Sequence, residues 1–150
     1  MTVTIEIRLL REGDEHLFAN VAPDVFDHNI RPALAAEFLS DPHHHIAVAI
    51  DAGQIVGFAS AVDYVHPDKP RELWVNEVAV APTAQGKGIA KQILRALFDA
   101  GTAMGCTQAW VLTDRSNLPA MRLYSAAGGV EATGDIVMFE FPLDDSQSLI

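Results

Sequence analysis

The chain has 150 residues, 49% of them hydrophobic, which is enough for one domain (1–150) with a substantial core and excludes a disordered chain. Its formal net charge of −10 argues against nucleic acid as a partner and for a cationic one, unless the charge serves solubility alone. No apolar run is long enough to cross a bilayer, no signal peptide is apparent, and the single Cys106 excludes an internal disulfide, so the expectation is a cytoplasmic protein with no membrane partner.

Val3 to Leu9 alternates and reads as a first strand. Asp14 is placed to cap a short helix running to about Val21. Pro23 to Asp27 reads as a turn, and Pro32 suits the first position of a second helix. Leu34, Phe38 and Leu39 would form its buried face, with Asp41-Pro42 ending it. His43-His44-His45 invites a metal reading. Neighbours on a strand point to opposite faces, so the three cannot converge on one ion, and no metal site is expected.

Ile46 to Ile50 is a second strand, Asp51 to Gln54 a hairpin turn, and Ile55 to Val65 a long, central third strand. After a polar loop, Glu72 to Val80 is the fourth. Asn76-Glu77 interrupts its apolar run, which predicts a bulge or a functional break. Pro82 ends it. Gly86 and Gly88 punctuate the turn that follows, and a helix from there to about Met104 carries Ile89, Ile93, Leu94, Leu97 and Phe98 on one stripe. Gly105 stops that helix. Cys106 to Leu112 is a fifth strand, Pro119 opens a last helix to Ala127, and Gly128-Gly129 ends it. Val130–Thr133 and Ile136–Leu143 read as a closing hairpin around Gly134, with a frayed tail over 144–150.

Strand, glycine turn and helix start together make a candidate phosphate cradle, because glycine lets a ligand approach the backbone and a helix N-terminus offers unpaired N–H groups. Neither the Walker spacing nor the third glycine of a dinucleotide fingerprint is present, since that position is Lys91. The run Gln85-Gly-Lys-Gly-Ile-Ala90 resembles the Gln/Arg-x-x-Gly-x-Gly/Ala motif of the GNAT N-acetyltransferases, and Glu77 to Pro82 resembles their fourth strand. Asn117-Leu-Pro-Ala-Met-Arg-Leu-Tyr124, followed by Gly128, is similar to a second motif of that family.

The resemblance covers nearly the whole chain. It implies an α/β fold: a central mixed, mostly antiparallel sheet with helices on both faces, splayed between strands 4 and 5. It implies acetyl-CoA as co-substrate. The pantetheine arm would pair along Val78, Ala79 and Val80. The pyrophosphate would rest on amides of Gln85, Gly86, Lys87, Gly88, Ile89 and Ala90, with Asn117 also contacting the cofactor. Tyr124 would lie near the thioester sulfur as general acid. Its plainer reading is a half-buried packing tyrosine.

Acyl transfer to an amine needs a neutral nitrogen, so a base is expected. Glu77 is the candidate, acting directly or through water, and His66 is its rival. Cys106 reads as core. Asp24, Asp27, Asp63 and Glu72 gather where the acceptor side should be, which suggests a cationic small-molecule amine. The Trp74-to-Val80 strand, the Asp24-to-Asp27 turn and the Val137-to-Phe141 segment resemble the aminoglycoside 3-N-acetyltransferase branch, which would make the acceptor an antibiotic and the activity antibiotic resistance. Acetylation of another small-molecule or protein amine, and a CoA-binding regulatory domain without turnover, are the alternatives. A homodimer is compatible with the sequence, which settles no oligomeric state.

Overall fold

The computed structural model describes residues 4–144. Five strands form one sheet in the order β1 (Glu6–Leu9), β2 (His44–Asp51), β3 (Gln54–Tyr64), β4 (Glu72–Val80), β5 (Gln108–Val111). The first four pair antiparallel, and β5 joins β4 in parallel. The β2–β3 hairpin turns on Ala52 and Gly53, both at positive φ, which matches the twist of the flanking strands.

Two helices cover opposite faces. α2 (Ile89–Ala103) buries Ile89, Ile93, Leu94 and Leu97 against the face that carries Gly57, Leu73 and Val75. Its end is closed by Gly105 at φ 90°: the amide of Gly105 donates to Thr102 and that of Cys106 to Gly101, so two carbonyls the helix leaves open are satisfied. α1 (Pro32–Ser40) lies on the other face. Its Pro32 sits in the first turn as expected, and Phe38 and Leu39 pack partly buried against the core, but no residue of α1 is fully buried and Leu34 is exposed. The reason is that α1 borders an open cleft instead of closing over the sheet. α3 (Leu118–Ala126) follows β5.

Several boundaries differ from the sequence reading. Val3 lies outside the described residues. The first helix is one short 3-10 segment, Glu15–Ala19, because the Asp14 carboxylate accepts from the Arg11 amide and faces Arg8 instead of capping forward. β5 is shorter than 106–112, since Cys106 belongs to the α2 stop. The closing hairpin does not form. Residues 130–143 take part in no ladder, and their apolar side chains stand in solvent. High local strand propensity is insufficient where no strand lies beside the segment. Among the described residues, no helix is long and apolar enough to cross a membrane.

Candidate active site

The centre of the site is a bulge in β4. Leu73 and Val75 point at α2, so strict alternation would bury residue 77 on that same face. Opposite Ser60 and Ala61 of β3, however, the register steps from Glu77 to Val75, and Asn76 is the extra residue. The side-chain phase flips there. Glu77 therefore pairs with Ser60 and faces the α1 side, where both line one open cleft of about 540 Å³. That volume suits a small-molecule ligand. Asp27 contributes the second carboxylate of the cleft, and Phe18, Phe26 and Phe58 supply an apolar floor. Phe26 stacks on Phe58 at 4.1 Å between ring centroids. Arg31 reaches the rim as the one arginine among the lining residues.

The second half of β4 is open on one side. β5 pairs only with Glu72 through Val75, which leaves Val78, Ala79 and Val80 unpaired along that edge. Here the sheet splays. The turn beyond is held by the Gln85 side chain, whose amide donates to the Val80 carbonyl at 3.0 Å. Gly86 and Gly88 both adopt positive φ, and a Cβ added at either would meet nothing within 4 Å. The space above the turn is thus vacant of protein, and the glycines are needed for their backbone conformation. The amides of Ile89, Ala90 and Lys91 open α2 with no carbonyl one turn back inside the helix, and α2 has no side-chain cap. A 15-residue helix adds the positive end of its dipole to that row of donors. The arrangement fits a pyrophosphate, and the open strand edge beside it fits an amide-bearing arm such as pantetheine. Lys87 and Lys91 are exposed nearby.

Across the splay, Asn117 caps α3: its side-chain oxygen accepts from the Ala120 amide at 3.2 Å. Tyr124 lies about two turns on, half-buried against the core, and burial pushes its phenol above the ordinary tyrosine value. It holds its proton at neutral pH. Cys106 lies elsewhere, in a separate pocket with Leu73 and Phe98. Burial, and then the Asp63 charge, push its thiol up, which makes it a poor nucleophile.

The other carboxylates go to different places. Asp63 faces the α2 side of the sheet, 4% exposed, beneath His43, His45 and Arg71 at 2.7, 3.2 and 3.3 Å. Burial raises its pKa, but the two histidine hydrogen bonds outweigh it and leave the carboxyl below its usual value. His44 turns the other way, to Asp41. Among the described residues, no group of side chains is arranged to hold a metal ion. Glu72 accepts from the Tyr64 hydroxyl at 2.9 Å and lies 3.3 Å from His66, so His66 is engaged outside the cleft lining. Asp24 is exposed in its turn at φ 63° and is likewise outside that lining.

Sequence reasoning missed the aromatic components. Trp74 and Trp110 stack at 4.9 Å and 8°, and the Trp110 ring N–H donates to Tyr64 at 2.6 Å. Trp74 remains 38% exposed on the Glu77 side of the sheet. The phenylalanine floor and this pair join residues far apart in the chain, and no local spacing announces them.

The profile of the acetyltransferase (GNAT) family matches residues 9–128. The N-alpha-acetyltransferase RimI of Mycobacterium tuberculosis is 31% identical over 129 residues, spanning 85% of this chain and 79% of that protein. Among solved structures, an aminoglycoside acetyltransferase from an uncultured soil metagenomic sample, in complex with sisomicin, superposes with a TM-score of 0.79 at 19% identity, over 93% of this chain and 97% of the other. The aminoglycoside N-acetyltransferase AAC(6')-Iy in complex with CoA gives 0.74 at 23% identity, over 94% and 97%.

Proposed function

The chain belongs to the GNAT acetyltransferase family, and from that premise we propose that it transfers the acetyl group of acetyl-CoA to an amine of a polycationic small molecule, with an aminoglycoside as the first candidate. The observation that carries the reading is the bulge at Asn76. It turns Glu77 into the cleft just beyond the last residue of β4 that pairs with β5, so a carboxylate and a strand edge fit for the cofactor arm adjoin each other.

The chemistry follows from those neighbours. An acceptor ammonium loses its proton to the Glu77 carboxylate. The freed nitrogen forms a bond to the thioester carbonyl carbon, and the carbon–sulfur bond breaks. The departing thiolate takes the proton of Tyr124, which the phenol holds at neutral pH, and the nitrogen sheds its second surplus proton as the amide forms, which restores the phenol. Backbone amides from Gln85 to Ala90 would hold the pyrophosphate, and the Val78–Val80 edge the pantetheine arm. Asp27 and Glu77 supply negative charge within the cleft, Phe26 and Phe58 an apolar floor, and the Trp74 face a flat surface on which a sugar ring can stack.

A second reading has its own support. The identity to RimI favours the α-amine of a peptide N-terminus as acceptor. A screen of aminoglycosides, simple monoamines and short peptides with acetyl-CoA, followed by free-thiol release, separates the two. Faster turnover of aminoglycosides supports the first reading, and turnover of peptides alone replaces it with the second. The product's NMR spectrum then assigns the acetylated nitrogen. The expected position is the 3-amino group, with a 6′ product as the alternative outcome.

A further inference from the structure

We propose, on the premise of acetyl transfer to an amine, that Ser60 is the second contact on the reacting nitrogen: its hydroxyl accepts one N–H of the acceptor while Glu77 takes the proton of another. Ser60 interrupts an apolar run. From Ile55 to Val62 every other residue of β3 is aliphatic, aromatic or glycine, and Ser60 is 8% exposed. Across the sheet it stands between Ile46 of β2 and Glu77 of β4. Phe58, two residues back on β3, shares its face.

The hydroxyl has work left over. Asp14 and Asp63, the other buried polar side chains, are both engaged: Asp14 accepts from the Arg11 amide, and Asp63 lies beneath His43, His45 and Arg71. Among the described residues, the Ser60 hydroxyl has no hydrogen-bond partner. No side-chain oxygen or nitrogen among them is both sealed from solvent and unbonded, so this oxygen opens onto the cleft that Ser60 lines. A hydroxyl taken out of bulk water without a partner costs stability, and alanine would fit the same space. A serine here is explained by what enters the cleft.

The register says what that is. Ser60 and Glu77 are opposed on adjacent strands and line the same cleft. Opposed side chains start about 4.5–5.5 Å apart at Cβ, so one atom between them can lie within roughly 2.7–3.2 Å of both polar ends. The acceptor nitrogen is such an atom. Once Glu77 has taken its proton, the nitrogen is neutral as it attacks. It turns positive as its bond to the carbonyl carbon forms, and it stays so until it sheds the second proton. A hydroxyl oxygen that accepts one of its N–H bonds becomes a charge-assisted partner at that step and not before. The contact therefore strengthens in the transition state, and its loss falls on kcat.

The test uses the full chain, acetyl-CoA and the amine that the parent turns over fastest. Ser60→Ala should lower kcat/KM by roughly 10–100-fold, the range for a lost hydrogen bond to a charged group, and mostly through kcat. It should leave acetyl-CoA affinity at the parent value by calorimetry. It should also melt no lower than the parent, because the hydroxyl it removes had no partner. In a Glu77→Gln background the same substitution should cost less than about threefold, since both side chains hold one nitrogen and their losses do not add. A variant within about twofold of the parent in kcat, or equal losses in both backgrounds, would overturn the assignment and leave acetyl transfer standing. A variant that melts lower or fails to fold would make Ser60 a packing residue, which overturns it as well. A parent that turns over no amine would remove the transfer reading and this assignment together.

Discussion

Glu77 and Asp63 show how the setting of a carboxylate decides its role. Both lie in or beside the same sheet, and they face opposite sides of it. Glu77 is exposed and lines a cleft, where the proposed reaction would bring it to an acceptor. Asp63 is buried beneath two histidines and an arginine, with every nearby donor already engaged. Asp63→Asn should therefore lower stability by about 1–3 kcal/mol, as for a lost buried charged hydrogen-bond acceptor, and leave acetyl transfer little changed. The folded-state pKa of Asp63 lies below the unfolded value, so the unfolded chain binds the proton more tightly. Its stabilisation is present above roughly pH 4, the unfolded carboxylate range, and is lost as pH falls through the depressed folded value. Urea unfolding of parent and variant at neutral and acid pH checks this: the difference between them should shrink on acidification. Tyr124→Phe should act oppositely, leaving stability and acetyl-CoA affinity close to the parent while lowering kcat by ~10²–10⁴-fold. Steady-state kinetics with calorimetric cofactor titration measures both.

At the scale of elements, one position links packing to the site. Gly57 of β3 lies under α2, and a Cβ there would meet the Ala79 carbonyl at 3.1 Å and Ile93 and Val80 at 3.2 Å. The carbonyl is backbone of β4 and yields only by moving that strand. Gly57→Val should cost about 1–3 kcal/mol through overpacking and should also weaken acetyl-CoA binding, because the displaced residues belong to the open edge. Thermal melts with and without acetyl-CoA read the two effects separately. Most elements were legible in the sequence, because hairpin, glycine turn and helix stripe each depend on residues close together in the chain. The interruption at Asn76-Glu77 was legible as a break. That the break turns Glu77 to the cleft also depends on which face α2 covers, which only the register with β3 reveals. Asp63 and Glu72 looked like partners of an acceptor by type and position. Their engagement with His43, His45, Tyr64 and His66 is a matter of tertiary pairing. The closing hairpin failed for a related reason, since alternation specifies a strand but not the edge it joins.

Over the whole molecule, the net charge of −10 sets the field in which the proposed cationic acceptor would approach. Charge steers encounter and is screened by salt, with a Debye length of roughly 10 Å at 0.1 M. Turnover of an aminoglycoside at low concentration should therefore slow as salt is added, while a monoamine should respond less. Asp27→Asn should raise KM for the polycation and flatten its salt dependence. Equal salt responses for both acceptors would show that the charge serves solubility alone.

The family assignment and the cleft geometry meet at Glu77, and the most direct measurement is the rate of acceptor-dependent thiol release by the parent enzyme and by Glu77→Gln across a pH series. The substitution keeps the shape of the side chain and removes the proposed base. At neutral pH the variant should be slower by roughly 10²-fold or more, and it should recover part of that loss as rising pH supplies neutral amine. A variant as fast as the parent at neutral pH, or equally slow at every pH, would contradict the assignment of Glu77 as the group that takes the proton from the acceptor.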